Sequence, residues 1–271
     1  MKKVLISRHN GIGDIIMTIP FVLGLSSNEY DVTYETIEEN FGFIKYLIPN
    51  LKLKLLSVPS VYTDCRAVED GYDILVNLNR LMEGNNLAFR YQDVEGLALN
   101  QQILTAIIFT LHGLPTPFEL SPSAYIHKEK HPTNKILIFT NSTNSNRSVS
   151  KRILGELEKV CNNRQIFLNP KYESLIVLAE EINNAKFVMS VDTGPLHLAE
   201  ALSTKWFGLY TNMSGITRVK YYKYGEFIQS KAECAPCNYH AKNCRCSIEL
   251  PFECTDGFDV NFLVNKIGEN I

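Results

Sequence analysis

No stretch of this chain approaches the roughly 20 consecutive apolar residues that a membrane-spanning helix needs, so no transmembrane segment is expected from it. A basic surplus is missing too. The 27 Lys and Arg against 29 Asp and Glu give a formal charge of -2, which argues against a nucleic-acid partner without excluding a locally basic cleft. No secretory signal is legible: the apolar run Val4-Leu5-Ile6 stops at Ser7-Arg8-His9-Asn10, too short for a signal core. A cytoplasmic setting is therefore the expectation, and in it thiols stay reduced. The chain has no Asp-x-Asp triplet, which an enzyme holding a sugar nucleotide through a divalent cation often presents. It also lacks a complete Gly-x-Gly-x-x-Gly, because Gly11 and Gly13 are followed by Ile16 where the third glycine would stand.

What is there is ordinary globular material, 271 residues with 45% hydrophobic and 21% charged positions, enough for two lobes that each bury a core. Strand-like and helix-like segments alternate. Val4-Leu5-Ile6 reads as a strand, and Ile15 to Leu25 as a helix that Pro20 must kink or begin. Ile74 to Leu78 reads as a buried strand, and Val94 to Leu111 carries Leu97, Leu104, Ile107, Ile108 and Leu111 at helical spacing. A breaker-rich stretch follows, with Pro115, Pro117, Pro122 and Pro132, and the lobe boundary is expected between Lys128 and Asn134. That gives lobes of residues 1–130 and 131–271. The pattern then restarts with strands at Lys135 to Phe139, Gln165 to Leu168, Ala185 to Val191 and Trp206 to Tyr210. Helices are expected over Ile153-Leu157-Val160 and Leu196 to Leu202. Such alternation implies an α/β architecture of parallel sheets, which bind ligands beyond the carboxyl ends of their strands.

Three loops at such ends carry candidate chemistry. Asn10-Gly11-Ile12-Gly13-Asp14 has two glycines that permit a tight turn and a close approach to a ligand. Asp14 enters the following helix, where the dipole favours a carboxylate that could serve as a base. The plainer reading is a capping Asp beside turn-making glycines. Asn141 to Lys151 gathers Asn141, Thr143, Arg147 and Lys151 before a helix, a set suited to phosphate oxyanions. It reads equally as a solvated loop with a serine cap. Ser190-Val191-Asp192-Thr193-Gly194-Pro195-Leu196-His197 ends a strand and opens a helix. Asp192 or Thr193 can cap it, Gly194 gives backbone access, and Pro195 suits a first helical turn. His197 lies one turn in, near any bound phosphate, or else packs as an ordinary helix residue.

Five of the seven cysteines crowd between Cys234 and Cys254. Cys234, Cys237, Cys244 and Cys254 form a candidate thiolate set for structural Zn or Fe, with Cys246 as the alternative to Cys244. A disulfide pair or free thiols are the competing readings. Cys65 and Cys161 lie in apolar surroundings and read as core residues.

Taken together, Val4 to Pro20 and Ser190 to Leu202 resemble glycosyltransferase family 9, the ADP-heptose:lipopolysaccharide heptosyltransferases. Val4 to Pro20 resembles that family's strand, Gly-Asp turn and Pro-bearing helix. Ser190 to Leu202 is similar to its Asp-(Thr/Ser)-Gly-x-x-His-x-Ala signature, with Phe207 to Tyr210 as the next strand. The resemblance implies a GT-B fold, two Rossmann-like lobes whose parallel sheets face a central cleft, with the acceptor on the N-terminal lobe and the donor on the C-terminal one. It implies inverting transfer from a nucleotide-diphospho-sugar to a glycan, lipid-linked or protein acceptor, as in lipopolysaccharide or surface glycan synthesis, without a catalytic metal. Asp14 would be the general base and Lys151 would neutralise the leaving diphosphate. Gly11, Gly13, Asn141, Thr143, Arg147, Asp192, Thr193, Gly194 and His197 would complete the site. A non-catalytic nucleotide-binding module and a sugar-nucleotide epimerase or hydrolase are the alternatives. A peripheral membrane contact stays open, although no basic amphipathic stretch is strong enough to claim it.

Overall fold

The opening apolar run is bounded by lysines on one side and a polar loop on the other, and it forms a single strand, β1 (Lys2–Ser7), buried over its last four residues. The computed structural model describes residues 1–9, 11–26, 30–56, 71–79, 100–161, 165–237 and 252–271. These fall into two compact units, Met1–Lys128 and Glu129–Ile271.

In the first unit β1 pairs in parallel with β2 (Tyr30–Thr36) and β4 (Ile74–Asn77), and β3 (Lys52–Leu55) extends the sheet beyond β2. The strand order is β3-β2-β1-β4. Helix α1 (Ile12–Ser26) begins three residues earlier than its apolar run suggests. Gly11 takes a left-handed φ of +74° and its carbonyl accepts from the Ile15 amide at 2.9 Å, so the helix starts directly after the turn. Gly13 and Asp14 thus belong to the first helical turn, and Pro20 sits inside the helix. α2 spans Glu38–Leu47. α3 spans Gln101–Leu111, capped by the Asn100 side chain, which accepts from the amides of Gln102 and Ile103. Residues 94–99, which the sequence also suggests as helix, lie outside the described residues. Helices α1 and α3 meet through Phe21 and Phe109, edge to face with ring centroids 5.2 Å apart.

The second unit holds β5 (Ile136–Phe139), β6 (Ile166–Leu168), β7 (Phe187–Val191), β8 (Trp206–Tyr210) and β9 (Gly225–Gln229). All described pairings are parallel, in the order β6-β5-β7-β8-β9. The three central strands are buried at every residue, as near-continuous apolar runs should be when both sheet faces are covered. The helices are α4 (Lys151–Val160), α5 (Leu175–Asn184), α6 (Gly194–Ala201), α7 (Gly215–Arg218) and α8 (Val260–Gly268). Ser150 caps α4 through the Ile153 amide, and Ile153 and Leu157, one turn apart, face inward. They pack with Met189, Phe207, Leu263 and Ile267 in one core cluster. The expected α/β class with two parallel sheets is what the chain adopts. Among the described residues no helix is long and apolar enough to cross a membrane.

Leu157→Ala removes a fully buried side chain from that cluster, and the loss should cost about 2–5 kcal/mol. Urea unfolding should show it as a lower midpoint at unchanged slope. An unchanged midpoint would mean that the α4 face is not packed as described.

Candidate functional site

The loop after β1 is fixed from two sides. The His9 amide donates to Asn79 Oδ1 just beyond β4, and Asn40 Nδ2 from α2 donates to the His9 carbonyl. Within this frame Arg8 is buried. It donates one guanidinium nitrogen to the Leu78 carbonyl and the other, at 2.5 Å, to Asp14 Oδ2. The Asp14 side chain remains 22% exposed, against 5% for Arg8. Gly11 makes the pair possible for two reasons. Its left-handed backbone disfavours other residues, and a Cβ there would stand 2.7 Å from Asp14 Oδ2. Of the residues named from this loop, Gly11, Gly13 and Asp14 thus converge on one strand end, while Asn10 lies outside the described residues. Arg8 is the partner that the sequence did not announce.

In the second unit, the ends of β5, β7 and β8 bring together a second charged cluster. Asp192, directly after β7, is buried, and its carboxylate meets groups from three segments. Arg218 from the end of α7 lies with Nε 3.5 Å from both oxygens. His197 from α6 places Nε2 3.3 Å from Oδ1. Arg147, in the loop after β5, places a guanidinium nitrogen 3.9 Å from Oδ2. Burial alone would raise the Asp192 carboxyl, but Arg218, the His197 hydrogen bond and Arg147 outweigh it and hold the group well below the ordinary carboxylate range. His197 is itself buried, and its Nδ1 lies 2.6 Å from the Tyr222 hydroxyl. Tyr210, at the end of β8, keeps a fully buried hydroxyl with no hydrogen-bond partner among the described residues. Burial, then the Asp192 charge, pushes that hydroxyl well above the usual tyrosine value.

Two guanidiniums against one carboxylate leave a positive surplus. It sits beside the start of α6, where the N-cap Thr193 makes no side-chain bond to the first turn. A helix N-terminus of this kind, next to cationic side chains, is suited to an anion.

The structure thus brings Arg147, Asp192, Thr193, Gly194 and His197 to one place. It leaves Asn141 and Thr143 exposed on the same loop, and Lys151 exposed at the start of α4, without a bond to the cluster among the described residues. Arg218 and Tyr222 are the members that sequence reasoning missed. The only hint was their place shortly after the fourth strand of a parallel sheet.

Of the expected thiolate set, Cys234, Cys237 and Cys254 lie among the described residues. Cys234 and Cys237 are half-buried, whereas Cys254 is buried with its sulfur 3.9 Å from the Asn146 carbonyl. Among the described residues no group of three or more His, Cys, Asp or Glu is placed to hold a metal ion. Cys244, with Cys246, lies outside them, as does Cys65. The four-thiolate site at Cys234, Cys237, Cys244 and Cys254 is therefore not supported. Cys161, read as core, is half-buried at the end of α4 and packs against the cluster around Leu157.

Comparison with known proteins fits this geometry. Residues 129–247, inside the second unit, match the model of glycosyltransferase family 9 (heptosyltransferase). Among solved structures the chain is similar to the iron-containing dodecameric glycosyltransferase TibC from enterotoxigenic E. coli, at 13% identity and a TM-score of 0.67, covering 99% of this chain and 78% of that one. It is similar to the E. coli heptosyltransferase WaaC, solved with ADP, at 15% identity and a TM-score of 0.57, covering 99% and 97%. A family 9 glycosyl transferase from Veillonella parvula gives 13% identity and a TM-score of 0.62, covering 99% and 96%. Among curated proteins none matches. At such identities the structural likeness carries the fold, which is GT-B. The resemblance to glycosyltransferase family 9 is supported in the second unit: the matched residues 129–247 contain Ser190–Leu202, whereas Val4–Pro20 lies outside them. Family match and fold together indicate a heptosyltransferase-like enzyme of glycosyl transfer.

Two measurements check the geometry. A carboxyl whose folded-state value lies below its ordinary 3.8 contributes stability fully above that pH and loses it as pH falls further. Urea midpoints should therefore drop between about pH 5 and pH 2, with a shallower slope in Asp192→Asn. Equal slopes would show that Asp192 is not the buried, paired carboxylate described. Gly11→Ala should displace Asp14 from Arg8 and abolish turnover while leaving the core of the second unit intact by hydrogen exchange. Full activity in that variant would remove the turn from the site.

Proposed function

We propose that this glycosyltransferase is an inverting enzyme that takes a sugar, a heptose in the favoured reading, from a nucleoside-diphosphate donor. The sugar goes to a hydroxyl of a glycan, lipid-linked or protein acceptor, and a cytoplasmic setting belongs to this reading. The observation that carries the proposal is the Asp192 cluster, with two guanidiniums on one buried carboxylate beside the start of a helix whose N-cap side chain leaves the first turn open. A diphosphate is the ligand whose charge and oxygens match that surplus. The WaaC structure was solved with ADP, which makes an adenine nucleotide the first donor to try.

In this reading the second unit is the donor side. Arg147 and the amides near Thr193 and Gly194 take the phosphate oxygens, and Lys151, with Asn141 and Thr143 on the same loop, is available to them from the surface. Arg147 is partly exposed, and its Nε has no hydrogen-bond partner among the described residues, so it has bonds left to give. Protein cations and a helix end then stabilise the departing diphosphate, a role that does not require a metal. The first unit is the acceptor side. Asp14 accepts the hydroxyl proton as the oxygen attacks the anomeric carbon, and Arg8 keeps the carboxylate aimed. General-base help of this kind is worth about 10²–10⁴-fold in rate. Asp192 does not suit the same task, since it is buried and shared by two guanidiniums.

The test needs no knowledge of the acceptor. Thermal shifts with ADP, UDP, GDP and CDP should show one nucleotide stabilising the wild type by about 2.7 kcal/mol at a hundredfold excess over Kd. The shift should disappear in Arg147→Ala. Asp14→Ala should keep the shift and lose turnover. Stabilisation by no nucleotide would sink the proposal. Donor consumed without any acceptor would point instead to an epimerase or hydrolase.

A further inference from the structure

We propose that Tyr222 is a positioning residue of the donor site: its hydroxyl fixes the tautomer of His197, so that His197 donates to Asp192 and Arg147 is left for the diphosphate. This rests on the donor-side reading of the second unit.

The two nitrogens of His197 face groups of different character. Nε2 lies 3.3 Å from Asp192 Oδ1 and Nδ1 lies 2.6 Å from the Tyr222 hydroxyl. An ionised carboxylate can only accept, so the hydrogen belongs on Nε2. In the neutral ring Nδ1 is then the acceptor, and the Tyr222 hydroxyl donates to it. The alternative tautomer would turn the Nε2 lone pair toward the carboxylate and withdraw a donor from a buried charge, which is costly.

Tyr222 is held for this task by the same helix that carries His197. Glu200, three residues further along α6 and buried, accepts from the backbone amides of Lys223 and Tyr224 and from the indole N–H of Trp206. The tyrosine ring stands edge to face against His197, at 5.7 Å between centroids, and against Trp206, at 5.9 Å. The segment that bears the hydroxyl is therefore tied to α6 on one side and to the base of β8 on the other.

The consequence falls on Arg147. With His197 on Oδ1 and Arg218 Nε 3.5 Å from both oxygens, the Arg147 guanidinium stays 3.9 Å from Oδ2, well beyond the roughly 2.7–2.9 Å of a tight charged hydrogen bond. It is near enough to be oriented and loose enough to reach a ligand. If His197 turned over, Asp192 would lose a donor and draw Arg147 inward.

The experiment uses the full chain. Nitrogen-15 NMR of the histidine side chains reports the His197 tautomer without any ligand, and titration with ADP, or with whichever nucleoside diphosphate stabilises the wild type, reports the donor site. The wild type should show the Nε2–H tautomer. Tyr222→Phe, which keeps the ring contacts, should show a mixture and bind the nucleotide about tenfold more weakly, near 1.4 kcal/mol. His197→Gln retains a donor toward Asp192, and adding Tyr222→Phe to it should change affinity little, because the tyrosine acts through the imidazole. An Nδ1–H ring in the wild type overturns the proposal. So does a Tyr222→Phe variant with unaltered tautomer or unaltered affinity, and so do additive effects of the two substitutions. If no nucleotide binds the wild type, the donor reading falls, while the spectra still decide whether Tyr222 sets the ring.

Discussion

The buried charge of Asp192 is the constraint around which the second unit is arranged at the carboxyl ends of its strands. An ionised carboxylate removed from water is costly unless it is paired and hydrogen-bonded. This one stands at the end of a strand that is buried at every residue. Its partners must come from elsewhere in the chain. They arrive from the loop after β5, the first turn and a half of α6, and the end of α7. Removing any one of them leaves a charge in a place that water does not reach. The carboxylate therefore does more than fill a motif position. It sets where three separate segments must meet, and it makes those segments interdependent.

The first unit uses the same parts with a different balance. Arg8 and Asp14 also sit at the end of a central parallel strand, but there is one guanidinium for one carboxylate, and the carboxylate is the more exposed partner. The glycine that permits the pair stands so close that a methyl group would strike the acid. One carboxylate is thus held and partly open, and the other is held and enclosed. The chemistry divides accordingly in the proposed reaction. An open carboxylate can exchange a proton with a substrate hydroxyl. An enclosed one shared by two cations stays ionised and orients them.

Much of this could be read from the sequence where local pattern and local structure coincide. Trp206 to Tyr210 is an apolar run with a small residue at its centre, and it became β8 with the expected limits. The Gly11 and Gly194 loops were legible because glycine beside a strand-like run marks a backbone with a special task. Strands β2 and β3 were not, because Tyr30–Thr36 and Lys52–Leu55 mix charged and apolar residues, β3 forming the partly exposed edge of the sheet and β2 lying next to it. Arg218 and Tyr222 were invisible for a different reason. They sit 26 and 25 positions from Asp192 and His197, and α7, which delivers Arg218, is four residues long, too short to show a period. The cysteine spacing suggested a metal from sequence proximity, and among the described residues it finds no support: Cys254 is buried beside the Asn146 carbonyl, and Cys244 and Cys246 lie outside those residues.

The distances within the Asp-Thr-Gly-x-x-His segment change what that segment is for. If His197 met the donor directly, at least one ring nitrogen would face solvent. Instead both nitrogens are engaged within the protein and the ring is buried. The histidine sits one turn along α6 because from there it reaches back to the carboxylate that precedes the helix, and Glu200, three residues on, reaches the chain that carries Tyr222. One short helix thus controls both ends of the hydrogen-bond series Tyr222–His197–Asp192. Arginine suits the outer positions better than lysine, since a planar guanidinium can face the carboxylate with one edge and a phosphate with another. On this view the segment is a charge-setting unit. In the proposed reading its helix start faces the donor, and its acid and histidine set how much positive charge the neighbouring loop presents.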